Sequence, residues 1–230
     1  MRARELRAER LKHGWGQVEA SRRLGVSQPY LALLEEGKRR LRPELGRKAA
    51  LVYGVDPARL PLPERFALSR QVDDQHLVGQ LSSLDYPHFA YVRSHSRKRH
   101  PAEVLLTALA AESLDGRVAE SLPWLLLRYW QMDLKWLVDQ AKLLDLQNRL
   151  GFVATLAREL SEKTADQKRT NALLRLENSL RRSLLARGDY FPRPPRNNAE
   201  QDWLKQNRSQ EARHWNLLSD LRPEHLQYAE

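Results

Sequence analysis

Cysteine is missing from all 230 residues. Disulfides, zinc fingers, iron–sulfur clusters and thiol nucleophiles are excluded with it. Long apolar runs are missing too. No stretch of about 18 such residues occurs, so no membrane span and no membrane partner are expected. The N-terminus is rich in Arg, but no apolar segment follows it, and a cytoplasmic protein without a targeting signal is expected. The HExxH, phosphate-binding P-loop and GxSxG patterns are absent. The seven histidines lie in unrelated settings. His95 and His100 read as exposed and stand among cations, which does not suit a metal. Glu103, Glu112 and Asp115 are close in sequence, yet helix caps and solvated faces account for them. No catalytic residue, no metal ligand and no cofactor is expected, and the chain reads as a non-enzyme. Runs of alternating β-branched residues are also lacking, which leaves an all-α fold class.

Acidic residues are in deficit. The chain has 39 Lys/Arg against 29 Asp/Glu, a net charge of +10. The surplus is unevenly placed: residues 1–60 hold 14 Lys/Arg and 7 Asp/Glu, net +7, and the other 170 residues share the remaining +3. A basic footprint of this kind suits phosphate neutralisation if the same segment offers a way to approach nucleic acid.

The stretch Gly14 to Pro43, GWGQVEASRRLGVSQPYLALLEEGKRRLRP, offers one. It predicts a helix over 17–24, a turn at Gly25-Val26 and a second helix over 27–36. Gly25 follows Leu24 where the first helix must stop, and glycine enters the left-handed region without a Cβ penalty. Ser27 is placed to cap the next helix. Pro29 falls in the first turn, where a missing N–H costs nothing. Ala20, Leu24, Val26, Leu31 and Leu34 make a small shared core. Ser27, Gln28 and Tyr30 are left facing away from it. This is the layout of a helix-turn-helix, whose second helix enters the DNA major groove. An exposed Gln at its start can pair bidentately with adenine or hydrogen-bond a guanine edge.

The segment resembles the lambda-repressor-like (Xre/Cro) helix-turn-helix family over residues 1–60. Arg10, Gly14, Gln17, Gly25-Val26-Ser27-Gln28, Leu31, Glu35-Glu36-Gly37 and Lys38-Arg39 carry the likeness. The resemblance implies that Gln17 meets a DNA phosphate, that Gln28 meets a base, and that Arg10 and Glu35 form a structural ion pair. Two positions depart from the pattern. Gly16 replaces the usual Ser or Thr cap before Gln17, a loss of about a few tenths of a kcal/mol. Pro29 replaces a side chain that often reads DNA.

The remaining chain divides by composition. A first helix is expected over 2–12 with Leu6 and Leu11 inward, and a fourth over 44–53. Three prolines between Pro57 and Pro63 mark a boundary. The expected division is a helix-turn-helix domain at 1–62, an α-helical domain at 63–190, a stiff Pro-rich connector at 191–198, and a C-terminal amphipathic helix in 199–230. The basic tract at 93–100 either touches flanking DNA or is a solvated loop. Helical stripes are expected over 74–84, 101–113, 133–144, 146–160 and 171–186. The last includes Leu174, Leu184 and Leu185. Trp124, Tyr129, Trp130 and Trp136 read as core packing in preference to a ligand pocket. Trp203 and Trp215 on the last helix read as a partner interface.

A dimeric, sequence-specific transcriptional repressor is therefore expected, with double-stranded DNA as partner. Ser27, Gln28 and Tyr30 would read bases, and Gln17, Lys38, Arg39 and Arg40 would hold the backbone. The second domain would hold the homodimer. A refinement is an antitoxin or defence-operon autoregulator with a cognate toxin as protein partner. The alternative is a helical adaptor or toxin-neutralising protein in which DNA binding is secondary. The aromatic-on-sheet platform and GxxG loop of common RNA modules are absent.

Overall fold

The computed structural model describes residues 3–68, 73–92, 98–226 and 228. They fall into two compact units. One holds the residues up to Glu64 together with Lys98–His100; the other holds the rest. Both are all-α apart from one pair of two-residue strands.

The first unit has α1 (Ala3–Lys12), α2 (Gln17–Leu24), α3 (Gln28–Glu35) and α4 (Pro43–Val52), followed by a 3-10 turn at Pro57–Arg59. Helix α2 stops at Gly25, whose φ is +66°. The Gly25 and Val26 amides turn back to the carbonyls of Arg22 and Ser21, at 3.2 and 3.0 Å. That closes the helix with the paired bonds of a Schellman end. Ser27 then caps α3, its Oγ accepting from the Tyr30 amide at 3.4 Å. Leu6, Ala20, Leu24, Leu31, Leu34, Ala49 and Tyr53 form the buried core, with Val26 and Tyr30 packed on its edge. Each fully buried Leu contributes roughly 1.5–3 kcal/mol.

Leu11 is a correction: it does not face inward but is 56 % exposed. Five residues after Leu6, it lies roughly 140° round a helix of 3.6 residues per turn. His100 is a second correction. It is buried, and its Nε2 donates to the Ala58 carbonyl at 2.8 Å. The part of the basic tract at 93–97 lies outside the described residues.

The second unit contains α5 (Asp74–Ser83), α6 (Pro101–Leu109), α7 (Gly116–Arg128), α8 (Leu134–Leu143), α9 (Gln147–Lys163) and α10 (Gln167–Arg181). These are followed by β1 (Asp189–Tyr190), α11 (Asn198–Asn207), α12 (Gln210–His214) and β2 (Leu217–Leu218). One capping device recurs. The carboxylates of Asp73, Asp115, Asp133 and Asp166 each accept an amide at the start of α5, α7, α8 and α10. Helix α9 is the centre, buried continuously from Leu150 to Ala157. A helix apolar on all sides must be surrounded, and α7, α8, α10 and α12 pack around it. Arg149 joins distant pieces. It makes a two-pronged ion pair with Asp189 at 2.7 and 3.0 Å and donates to the carbonyls of Leu109 and Ala111.

The C-terminal region differs from expectation. No single helix fills 199–220: Ser209 interrupts it and caps α12, its Oγ accepting from Ala212. The chain then extends, and β2 pairs in parallel with β1. Phe191, at the start of the expected connector, is buried against Phe152. Trp215 is not a surface anchor, being fully buried. Its indole N–H donates to Thr155 Oγ1 at 2.8 Å, and its ring lies on Gly151, where a Cβ would overlap it. Helix α10 is also displaced from the expected 171–186. Leu173, Leu176 and Leu180 are buried, while Leu174 and Leu184 face solvent. Of the aromatic cluster, Trp124 and Tyr129 are buried and Trp130 and Trp136 half-buried.

Candidate nucleic-acid interface

The exposed start of α3 is built on a buried ion pair. Arg10 on α1 and Glu35 at the end of α3 meet through two parallel hydrogen bonds, Nε to Oε1 at 2.7 Å and an Nη2 bond to Oε2 at 2.9 Å. Both side chains are nearly out of solvent. Burial pushes the Glu35 carboxyl up, but the hydrogen bonds from Arg10 and Gln17 outweigh it and hold it below the ordinary value. The remaining Arg10 Nη1 donates to the Trp15 carbonyl at 2.8 Å, tying down the chain between α1 and α2. A planar fork of donors facing a carboxylate fixes geometry as well as charge.

Gln17 continues this network outward. Its Nε2 donates to Glu35 Oε2 at 3.1 Å, and its Oε1 accepts from Gln28 Nε2 at 2.8 Å. Gln28 is exposed, as is Ser27. The Gln28 Oε1 is left for an outside donor. Ser27 is partly committed to its cap. Tyr30 is half-buried, packed on the edge of the core. The loop after α3 is exposed from Glu36 to Arg40. Lys38 pairs with Glu36 at 2.8 Å, an exposed contact worth little in water. Arg39 and Arg40 make no ion pair among the described residues. The Arg39 amide bonds to the Leu33 carbonyl at 3.1 Å, which anchors the loop to α3.

A model of the helix-turn-helix family matches residues 6–60. The N-terminal unit is a helix-turn-helix domain of the lambda-repressor-like (Xre/Cro) type. Such domains bind DNA in transcription regulators, and residues 1–60 carry a net charge of +7, the sign that phosphate neutralisation needs. No curated protein matches the chain, and no solved structure does. The second unit has no recognised family.

One feature beside the helix-turn-helix site went unread in the sequence. Trp15 stacks on His13 with ring centroids 4.6 Å apart, and the Arg23 guanidinium lies over its ring at 4.2 Å. Arg22 and Arg23 both pair with Glu19 at 2.6 Å. The i, i+3 and i, i+4 spacings of Glu19, Arg22 and Arg23 were the available signal. Elsewhere, Trp203 on α11 is 50 % exposed, unlike Trp215. Among the described residues no three His, Asp or Glu side chains are grouped to hold a metal ion. No helix among them is long and apolar enough to cross a membrane.

Proposed function

We propose that the protein is a cytoplasmic, sequence-specific transcriptional repressor that binds DNA as a homodimer. The observation carrying this reading is the network Arg10–Glu35–Gln17–Gln28, which presents the Gln28 amide from a rigid support. Positioning a base-reading amide from a buried ion pair lowers the entropy lost when it meets a base. Gln28, with the edges of Ser27 and Tyr30, reads bases. Gln17, Lys38, Arg39 and Arg40 hold phosphates. One such domain covers little DNA, so tight binding needs two, at half-sites about 34 Å or about 10 base pairs apart. The helical second unit, residues 65–230 less Lys98–His100, supplies the dimer contact.

The test is DNA selection with purified full-length protein, followed by sedimentation free and on the selected site. A palindromic site bound by two chains is the expected result. A monomer on a single half-site, bound as tightly by a fragment ending near Leu62, would remove the dimer from this reading.

An antitoxin role is the second reading. The half-exposed Trp203 supports it, since an exposed Trp is a common anchor for a protein partner. Co-purification of the chain with the product of the adjacent gene tests it.

A further inference from the structure

The second unit has a cavity of about 600 Å3 where the end of α7, the end of α9 and the start of α10 meet the C-terminal residues. Its apolar walls include Trp124, Trp130 and Tyr228. Tyr228 is held in place by donating its hydroxyl to the Glu120 carbonyl at 2.5 Å. Tyr86 backs the wall, edge-on to Trp124 with centroids 5.0 Å apart and to Tyr228 at 6.5 Å.

Three cations share the same cavity: Arg128, Lys163 and Arg169. Among the described residues no carboxylate lines it. Arg128 and Lys163 are exposed and form no ion pair among the described residues; the Arg128 guanidinium lies over the Tyr129 ring at 5.4 Å. Arg169 is fixed by Asp166 at 3.0 Å, and its Nε is buried with no acceptor among the described residues. Two of these three heads, Arg128 and Lys163, have no counter-charge among the described residues, so an anion entering the aromatic cleft would supply one. The volume falls within the range of pockets that enclose a small molecule, and aromatic walls with a few convergent polar groups are the usual lining.

We propose that this cavity binds a small organic acid with a flat aromatic body. The ring lies against Trp124, Trp130 and Tyr228. The acid group meets Arg128, Lys163 and Arg169 through charge-assisted hydrogen bonds, which are about twice as strong as neutral ones. The inference stands independently of DNA binding, because every residue it uses lies in the second unit.

Calorimetric titration of the full-length protein separates the two parts of the ligand. The probes are naphthoate (ring and charge), naphthalenemethanol (ring alone) and acetate (charge alone). Naphthoate is expected to bind one per chain, with the other two weaker by about tenfold or more. Arg128→Gln combined with Lys163→Gln, both at exposed positions, should weaken naphthoate by about tenfold and leave naphthalenemethanol unchanged. Arg39→Gln with Arg40→Gln, in the first unit, should change neither. Equal affinity for the acid and the alcohol overturns the proposal. So does the absence of saturable naphthoate binding, or an Arg128/Lys163 variant with unchanged melting that retains wild-type affinity. Loss of naphthoate binding on changing Arg39 and Arg40 would place the site elsewhere and also overturn it.

Discussion

Gln17 accepts the Gln28 amide at 2.8 Å while donating to Glu35 at 3.1 Å, so the side chain at the exposed start of α3 is braced by a buried carboxylate. The bracing leaves Gln28 its oxygen and one N–H for a base, and it selects one amide orientation. Because Gln17 and Gln28 act as one unit, substitutions at the two positions should be non-additive.

Gln28→Ala should lose about 1–3 kcal/mol of discrimination at one position of each half-site. Gln17→Ala should lower the same preference in part, since Gln28 then loses its brace. Binding to a randomised site library measures both. Preference unchanged by Gln28→Ala would show that another residue reads that base.

Arg39→Ala and Arg40→Ala should weaken binding to all sequences alike. On the proposed reading each removes one phosphate contact, so the slope of log affinity against log salt should fall by roughly one unit. Titrations at several salt concentrations, on the selected and on unrelated DNA, distinguish this from loss of base reading.

The Arg10–Glu35 pair predicts an acid-sensitive N-terminal unit. The Glu35 carboxyl is held below its ordinary value in the folded chain. Its stabilisation is complete above the unfolded value of about 4.3 and is lost as pH falls through the folded one. Glu35→Gln should remove this acid dependence and cost about 3–5 kcal/mol, because the Arg10 charge is left buried without a counter-charge. Hydrogen exchange at the Leu31 and Leu34 amides, followed from neutral to acid pH, reports on this unit. An unchanged acid profile in the variant would assign the sensitivity to another carboxylate.

Gly151→Ala should destabilise the second unit by about 1–3 kcal/mol or more, since the added Cβ overlaps the Trp215 ring and an overfilled core must shift. Trp215→Ala should cost about 3–5 kcal/mol. Combining the two should cost less than their sum, because removal of the ring vacates the space that the methyl needs. Thermal unfolding of the three variants measures the coupling.

The legible parts of the fold were those with local chemistry. Gly25, Ser27 and Pro29 each punctuate the backbone within a few residues, so α2, the turn and α3 could be read directly. Arg10 and Glu35 are 25 residues apart, and no local rule joins them; family resemblance supplied that pair. The errors fell where one face of a helix had to be chosen without knowing its neighbour. Leu11 on α1 and Leu174 on α10 are apolar but point to solvent. The C-terminal region failed for a different reason. Its apolar residues follow a helical period, yet Ser209 competes for the backbone as a cap and divides the segment. Gly151, inside the apolar run Leu150 to Ala157, was the available sign that something large approaches α9.

The seat of Trp215 on Gly151 sets an order of events during synthesis. Chains fold from the N-terminus as they leave the ribosome. The first unit has all but three of its residues by Glu64 and can close early. The space beside Gly151 on α9 stays unfilled until the 64 residues after Gly151 have emerged, because the ring that occupies it arrives at position 215. A nascent chain stalled between Gly151 and Trp215 therefore lacks the ring that covers this stretch of α9 and leaves its apolar surface open.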